Sequence, residues 1–549
     1  ATAPMSVCAT DNNPKEPRPK RPNSDCNRTL ENMMFRLMLT TALAVLPLAA
    51  TAQEITVGAA NMAPYLDPGR DHSNVGSQFY YNSFDTLIDR DHTKLEPEWV
   101  PALATSWELI SPTVMELKLR DGVKFHNGDP MTADDVIFSL NRMMQATFPP
   151  YVVRAKDRLA NFPEAEKVDE NTIRIHANRE EPLWETLISL QQVMIIPEAY
   201  TKALTGDPDV AEDSDFEAFA LAPVGTGPYK IESFQPGEKL VWTRFDDFWG
   251  EKAPLERVNV VQISETASRV TALKTGEADI ITNIAPDQLS LIDNDPALKT
   301  AGSATALFHV MIMNQNHPKL EDPRIRQAMS LAIDRDALNE ALWLGKAIVP
   351  STHTMAEMGE LHQPDLVTFE YDPERAKALL AEAGYDGFEI TYDTAPSYYT
   401  NGVLAAQAIM EMWAAVGING KIVVGDKWTG NSPDLMARNW SNPMYFADPF
   451  GSFGVMWAPD GPSQSEGRFN TDEAYAKTWD RFRYSTDVAV RKAAYAELME
   501  RVKADPAVLP LYRPFESWGM KTAINWAPMP GHIPYVLDFR AGSISLAGS

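Results

Sequence analysis

Of the 549 residues, one run alone is apolar enough to suit a membrane or a translocon, Leu37-Met-Leu-Thr-Thr-Ala-Leu-Ala-Val-Leu-Pro-Leu-Ala-Ala50. At about 14 residues it falls short of the roughly 20 that a spanning helix needs. The rest of the chain must bury its apolar side chains against one another, so a polytopic membrane fold is excluded. Met33-Met34-Phe35-Arg36 precede the run, and Ala50-Thr51-Ala52 follow it before Gln53. A single basic residue, an apolar stretch and small residues at the exit read as a secretory signal with its cleavage site. The alternative is an N-terminal anchor helix. A signal lies close to the initiator, so translation is expected to begin at Met33 or Met34. Residues 1–32, polar and Pro-rich, are then upstream or artefactual sequence, and 33–52 the signal.

Cys8 and Cys26 are the two cysteines of the chain, and both precede the apolar run. Residues 53–549 therefore offer no disulfide, thiolate nucleophile or Cys-ligated metal. With no Cys after the cleavage site, a lipid anchor is not expected either. An exported, unanchored, cysteine-free chain fits a bacterial periplasm. Residues 1–52 hold six Lys or Arg and four Asp or Glu, which leaves 43 cations against 71 carboxylates, a formal charge of −28, over 53–549. Such a surface repels nucleic acid and otherwise serves solubility.

Along the chain, patterns of period two and of helical period alternate. Glu54–Gly58, Thr113–Arg120, Tyr229–Phe234, Leu240–Phe245, Arg257–Ile263 and Lys421–Val424 read as strands, with a hairpin across Pro236-Gly237. Helices are expected over Phe79–Ile88, from Thr132, over Thr266–Thr275 stopped by Gly276, from Asp322 through Leu338, from Asp372, over Leu404–Val416 and over Thr486–Val502. The acidic stretch 203–220 reads as loop. The fold class is α/β or α+β with more than one sheet.

The search for catalytic chemistry is negative. No G-x-S-x-G elbow, Walker loop or H-E-x-x-H motif occurs, and the nine His show no tight ligand spacing. His309/His317 and His353/His362 are loose pairs that are expected to be structural. No catalytic residue, metal ligand or cofactor is assigned. A secreted hydrolase using two carboxylates stays formally open. Aromatics are more informative. Between 392 and 457 several lie in loop-like sequence among Pro, Gly and Asn, where they suit a ligand pocket, although most are expected to be core.

An ordered set of motifs carries a resemblance. Leu103-Ala-Thr-Ser-Trp107 comes first, followed by Leu119-Arg-Asp-Gly-Val-Lys-Phe-His-Asn-Gly-Asp-Pro-Met-Thr-Ala-Asp-Asp-Val136. Val224-Gly-Thr-Gly-Pro-Tyr229 and Asp247-Phe-Trp-Gly250 come next. Leu273–Asp279, Asp322–Ala328, Ala332–Arg335, Arg468-Phe-Asn470 and Leu509-Pro-Leu-Tyr512 continue the series. In this order the chain resembles extracytoplasmic solute-binding protein family 5, the periplasmic receptors of peptide, oligosaccharide, opine and nickel ABC importers. The resemblance implies an α/β two-lobe periplasmic-binding-protein fold (type II, the large peptide-binding-like class) with an extra subdomain in the first lobe. Lobe I would take 53–308, with a subdomain over about 72–220, and regain the chain at 513–549. Lobe II would take 309–512, between hinge strands near Phe308–Asn314 and Tyr512–Trp518. The signature segment itself reads as structural: Asp121-Gly122 turns, Phe125 anchors and Thr132 caps.

By the same resemblance the chain is a non-enzymatic receptor that closes on a small solute and delivers it to a membrane permease, working as a monomer without nucleic acid. Peptide-binding members resemble one another at a GW-x-x-D-x-x-DP stretch whose first Asp pairs with the peptide ammonium. This chain reads Asn439-Trp-Ser-Asn-Pro-Met-Tyr-Phe-Ala-Asp-Pro449, with Pro443 in that place. Peptide is the family default, whereas loss of the Asp favours an oligosaccharide or an opine. Expected pocket residues are Trp440, Asn442, Tyr445 and Asp448, then Arg438, Tyr398, Trp428 and Trp518. Trp440 and Tyr398 would stack on the ligand, Asn442 and Asp448 would hydrogen-bond to it, and Arg438 could hold a carboxylate. The competing reading is a secreted hydrolase acting on oligosaccharides or peptides.

Overall fold

A computed structural model of the chain describes residues 53–549 except 71–72, 74, 146–157, 206–212, 397, 426–433, 530–535 and 548–549. Residues 1–52 lie outside the described residues, and with them the signal and cleavage site expected from the sequence and both cysteines. Among the described residues no helix is long and apolar enough to cross a membrane.

Three larger sheets carry the fold. A seven-stranded sheet runs in the order Leu298–Ala304, Phe515–Lys521, Ile280–Ile281, Glu54–Ala59, Arg257–Gln262, Lys239–Arg244, Tyr229–Gln235. Glu54–Ala59 is parallel to both of its neighbours. A five-stranded sheet runs Gly420–Val424, Ile390–Thr394, Ala437–Pro443, Leu307–Met313, Val508–Tyr512. Its strand Leu307–Met313, Leu-Phe-His-Val-Met-Ile-Met, is buried along its whole length, hence the unbroken run in place of alternation. A four-stranded antiparallel sheet, Ala104–Ser111, Val114–Leu119, Thr172–His176, Glu164–Asp169, shares one continuous apolar core with the five-stranded sheet. The seven-stranded sheet packs a second core, which includes Val536, Leu537 and Phe539 near the C-terminal end.

The chain passes between the seven- and five-stranded sheets twice, at Thr305–Ala306 and at Arg513–Pro514. The two crossings are bonded to each other. Thr305 N donates to Pro514 O at 3.0 Å, and Arg513 Nε donates to Thr305 O at 3.0 Å. Arg513 also pairs with Glu357, so both crossings are fixed from the side.

Local signals explain most elements. Thr132 caps the helix Ala133–Met144 in a full capping box with Asp135. Asp372 caps Pro373–Glu382, and Gly276 (φ +82°) ends Thr266–Thr275 in the left-handed conformation. Three expectations fail. The run Phe79–Ile88 forms 3-10 turns rather than a helix, because distant backbone claims its polar groups. Asn82 Nδ2 donates to Leu537 O at 2.6 Å, and Ser83 O accepts from Gly227 N at 3.0 Å. The helix from Asp322 stops at Leu331 and a second, Arg335–Trp343, restarts on its own Asp334 cap. The stretch 203–220 contains the end of one helix, Glu198–Thr205, and most of another, Asp213–Leu221, and is not a plain loop.

The motif glycines at 225 and 227 are there because backbone passes too close for a side chain. A Cβ on Gly225 would lie 2.1 Å from Ser83 O, and one on Gly227 2.6 Å from Ser83 C. His126 of the signature segment knits onto the same turn: Gly225 N donates to Nδ1 at 3.3 Å and Nε2 donates to Gly227 O at 2.9 Å. The signature segment is thus a structural clasp. Gly227→Ala is expected to lower stability by about 1–3 kcal/mol through overpacking, read from the urea midpoint at unchanged slope.

Candidate functional site

Between the seven- and five-stranded sheets lies a cavity of about 840 Å3. One wall is built by Ala60, Gln78, Gln262, Thr266, Asn283 and Glu516, from the half that holds the seven-stranded sheet. The other is aromatic: His309, Trp343, Tyr398, Tyr399, Trp440 and Tyr445. Flat side chains on one side and polar groups on the other suit a small organic ligand held in a fixed orientation.

The aromatic wall is held firmly. His309 lies on the central buried strand and stacks on Tyr399 at a centroid distance of 3.6 Å. Neither of its ring nitrogens has a hydrogen-bond partner among the described residues, and burial pushes its pKa down to about 3. Tyr398 accepts at its hydroxyl from Ser441 N at 3.1 Å, which ties the 395–401 loop to the strand Ala437–Pro443. Trp440 meets Trp457 edge-on at 6.2 Å, and the Arg158 guanidinium sits 3.6 Å over the Tyr445 ring.

The polar wall centres on Glu516, in the strand that follows the second crossing. The residue is 6% exposed, and its Oε1 accepts from Asn283 Nδ2 at 2.6 Å. Among the described residues no cationic nitrogen reaches its carboxylate within ion-pair distance. Burial pushes its pKa up to about 8, against a smaller downward pull from Arg269. Arg269 lines the same cavity, but its five N–H groups are spent. Nε donates to Thr282 O, Nη1 to Ile263 O and Ser264 O, and Nη2 to Thr266 Oγ1 and Asn283 O, all within 2.7–3.1 Å.

Of the residues singled out from sequence, Tyr398, Trp440 and Tyr445 line the cavity. Asn442, Asp448, Arg438 and Trp518 do not. Asn442 is fully buried and donates from Nδ2 to His353 Nε2 at 3.0 Å. Asp448 cannot stand in for the missing ammonium anchor. Both of its oxygens accept from Arg491 at 2.8 Å, and Oδ1 also caps Phe450 N. Arg438 sits in the five-stranded sheet, where burial and Arg468 push its pKa down to about 9. Trp518 is core of the seven-stranded half, edge-on to Trp526. Trp428 lies outside the described residues. Glu516, Asn283, Arg269, His309, Trp343 and Tyr399 were missed. The available signal for Glu516 was a carboxylate inside the apolar hinge-strand run Phe515-Glu-Ser-Trp-Gly-Met520. No group of three or more His, Cys, Asp or Glu placed to hold a metal occurs among the described residues.

Three histidines are kept neutral by burial, His309 and His353 with pKa values lowered to about 3 and His126 to about 4. Unfolded, each would titrate near 6.5. A depressed folded value means support for the fold that is complete above pH 6.5 and drains as pH falls toward 4 and below. Stability is expected to drop by on the order of 1–3 kcal/mol per histidine across that window, with proton uptake on unfolding. Denaturant curves at stepped pH check this, and a flat profile from pH 6.5 to 4 would contradict it.

Comparison with known proteins follows the same architecture. The chain is 28% identical over 366 residues to heme-binding protein A of Haemophilus influenzae, covering 63% of this chain and 64% of that one. It is 28% identical over 348 residues to the dipeptide-binding protein of Escherichia coli, covering 59% and 63%. The matches thus span slightly under two thirds of these two relatives. Among solved structures, the ABC transporter-associated periplasmic binding protein DppA of Helicobacter pylori, in complex with the peptide STSA, superposes with a TM-score of 0.79 at 23% identity, over 90% of this chain and 98% of that one. The fold is therefore the two-lobe, type II periplasmic-binding-protein fold. The family model for bacterial extracellular solute-binding proteins, family 5, matches residues 98–464, and with that match over two thirds of its length the chain belongs to this family.

Proposed function

We propose that the protein is the substrate-binding protein of an ABC importer, capturing a small solute in the periplasm and passing it unchanged to a membrane permease. The observation that carries this reading is the cavity of about 840 Å3 walled jointly by the two sheet-centred halves. The lobe boundaries proposed are those expected from sequence, 53–308 with 513–549 for the first lobe and 309–512 for the second, with a subdomain over about 72–220. Leu307 and Phe308 already run in the five-stranded sheet, however, so the first change of sheet falls slightly earlier. The paired crossings at Thr305–Ala306 and Arg513–Pro514 serve as the hinge.

A ligand that touches both walls favours the closed state by its differential affinity for that state. Closure strips water from both surfaces, so an unmatched buried polar group penalises the wrong solute. The pocket residues proposed are Trp440, Tyr398, Tyr445, His309, Trp343, Tyr399, Asn283 and Glu516. Trp440 and Tyr398 supply stacking area, and Glu516 with Asn283 supplies the polar end.

A thermal-shift screen of peptides, amines, oligosaccharides and opines tests the reading. A cognate ligand at 100 times its Kd is expected to add about 2.7 kcal/mol of stability, with the compound recovered intact. Recovery of a hydrolysed product would point to the hydrolase, and no shift from any class would sink the receptor.

A further inference from the structure

We infer that Glu516 is the charge-reading group of the cleft, and that the solute it selects carries a protonated amine beside a flat or apolar moiety. This rests on the receptor reading above and names its substrate class.

Geometry carries the argument. Glu516 is a carboxyl buried in a ligand-sized cavity, with one oxygen held by Asn283 and no cation of the protein within ion-pair distance among the described residues. A buried carboxylate without a cation is costly unless a partner arrives from outside. The side chain is also aimed by a relay. Ala60 N donates to Thr282 Oγ1 at 3.1 Å, Thr282 Oγ1 donates to Asn283 Oδ1 at 2.6 Å, and Asn283 Nδ2 donates to Glu516 Oε1 at 2.6 Å. The order of donors fixes which end of the Asn283 amide faces the carboxylate. Asn283 holds this place at φ +56°, a left-handed conformation that few residues other than Gly and Asn adopt cheaply. Arg269 grips the carbonyls of Thr282 and Asn283 and so acts as a positioning residue.

The rest of the cavity fits the same class of ligand. Arg269 has no N–H left for an anion, and among the described lining residues no other Lys or Arg is present. The wall thus offers a carboxylate and aromatic faces, the pair of features that holds ammonium groups by charge and by cation–π attraction. A free carboxylate on the solute would find no compensating cation among the described lining residues. The two places where sequence led one to look for an ammonium anchor are both closed, since Pro443 has no charge and Asp448 is saturated by Arg491.

Binding should also be linked to pH. The groups that face Glu516 are Arg269 from the helix Thr266–Thr275, Asn283 after the strand Ile280–Ile281, Ser303 on the paired strand Leu298–Ala304, and neutral His309 among the opposite aromatics. Of these, Arg269 is the charged one, and it favours the carboxylate less than burial disfavours it. In the empty cleft the carboxyl is therefore largely protonated at pH 7, and a bound cation expels the proton. Affinity for an amine should fall roughly tenfold per pH unit below 8.

The probes are alanyl-phenylalaninamide, its free-acid form, its N-acetyl form, spermidine and tyramine, measured by calorimetry on the wild type, Glu516→Gln and Glu516→Asp at pH 6, 7 and 8. The expected result is binding of at least one amine cation. Blocking its amine should abolish binding, and Glu516→Gln should weaken it on the order of 100-fold and flatten the pH slope. Glu516→Asp should retain the slope. Equal affinity for the N-acetyl form, or an unchanged Kd and slope in Glu516→Gln, would overturn the assignment while leaving the receptor standing. Tight binding of a neutral oligosaccharide in the same calorimetry, with none of the amines bound, would overturn it too. No binding by any compound of any class would remove the receptor reading as well.

Discussion

Arg491→Ala should cost about 3–5 kcal/mol of folding stability, the largest single loss expected in this chain. Arg491 grips both oxygens of Asp448 at 2.8 Å, and its Nε donates to Phe482 O at 2.8 Å. Side-chain exposures of 5% and 3% leave no water to replace it. Truncation strands a carboxylate, and the Asp448 side chain also caps the 3-10 turn Pro449–Gly451 through Phe450 N. Urea unfolding of Arg491→Ala and of the double variant with Asp448→Asn is the check. The double variant should recover part of the loss, because the orphaned charge is then gone. A cost below about 1 kcal/mol would place the pair with ordinary surface bridges and refute the assignment.

Glu181→Gln should weaken ligand capture and open the cleft. Glu181 follows the strand Thr172–His176, and Arg483 lies 302 residues later on the helix Glu473–Tyr484. Two hydrogen bonds join them, at 2.6 and 2.7 Å, with side chains 0% and 3% exposed. Glu181 further accepts from Asn161 Nδ2 and from Leu183 N at 3.0 Å. In the lobe division proposed, the pair bridges the first lobe's subdomain to the second lobe beside the apolar core the two share, and a swing about Thr305 and Arg513 that parts the lobes is expected to break it. Its full strength then belongs to the closed form, and loss of the carboxylate charge shifts the population toward the open one. Ligand Kd should rise roughly 10- to 100-fold, and the radius of gyration of the empty protein should increase in small-angle scattering. Unchanged values of both would show that the two side chains travel together.

Glu516→Gln is expected to act in the opposite direction on stability. A carboxyl whose folded pKa is raised to about 8 from 4.5 destabilises the fold progressively as pH climbs through that interval. The variant should match the wild type near pH 4.5 and exceed it at pH 8, by on the order of 2 kcal/mol. A side chain that weakens the empty fold in this way is a candidate for work on a ligand.

Local rules carried much of the architecture. The Asp372-Pro373 start and the Gly276 and Gly417 stops locate their helices because capping and positive φ are decided within a few residues. The 76–90 region was illegible for the converse reason. Its hydrogen bonds go to Leu537, Phe539 and Gly227, and no local pattern reports such partners. The site divides along the same line. Tyr398, Trp440 and Tyr445, singled out as aromatics in loop-like sequence, line the cavity, although Trp440 stands on the strand Ala437–Pro443. Asp448 could not be discounted, because its partner Arg491 lies 43 residues away. Glu516 is one carboxylate among 75 acidic residues until the seven-stranded sheet buries it.

In the receptor proposed, with its hinge at the two crossings, the position of Glu516, two residues beyond Arg513–Pro514, bears on the sequence of events during capture. In a swinging body, displacement grows with distance from the axle. Glu516 sits where the lever arm is shortest, so it stays nearly still while remote parts of the second lobe sweep through the largest arc. The carboxyl is then present in the same place in the gaping receptor and in the shut one. In that reading a solute can dock its cationic end on this fixed point first, before the aromatic wall of the second lobe closes over it.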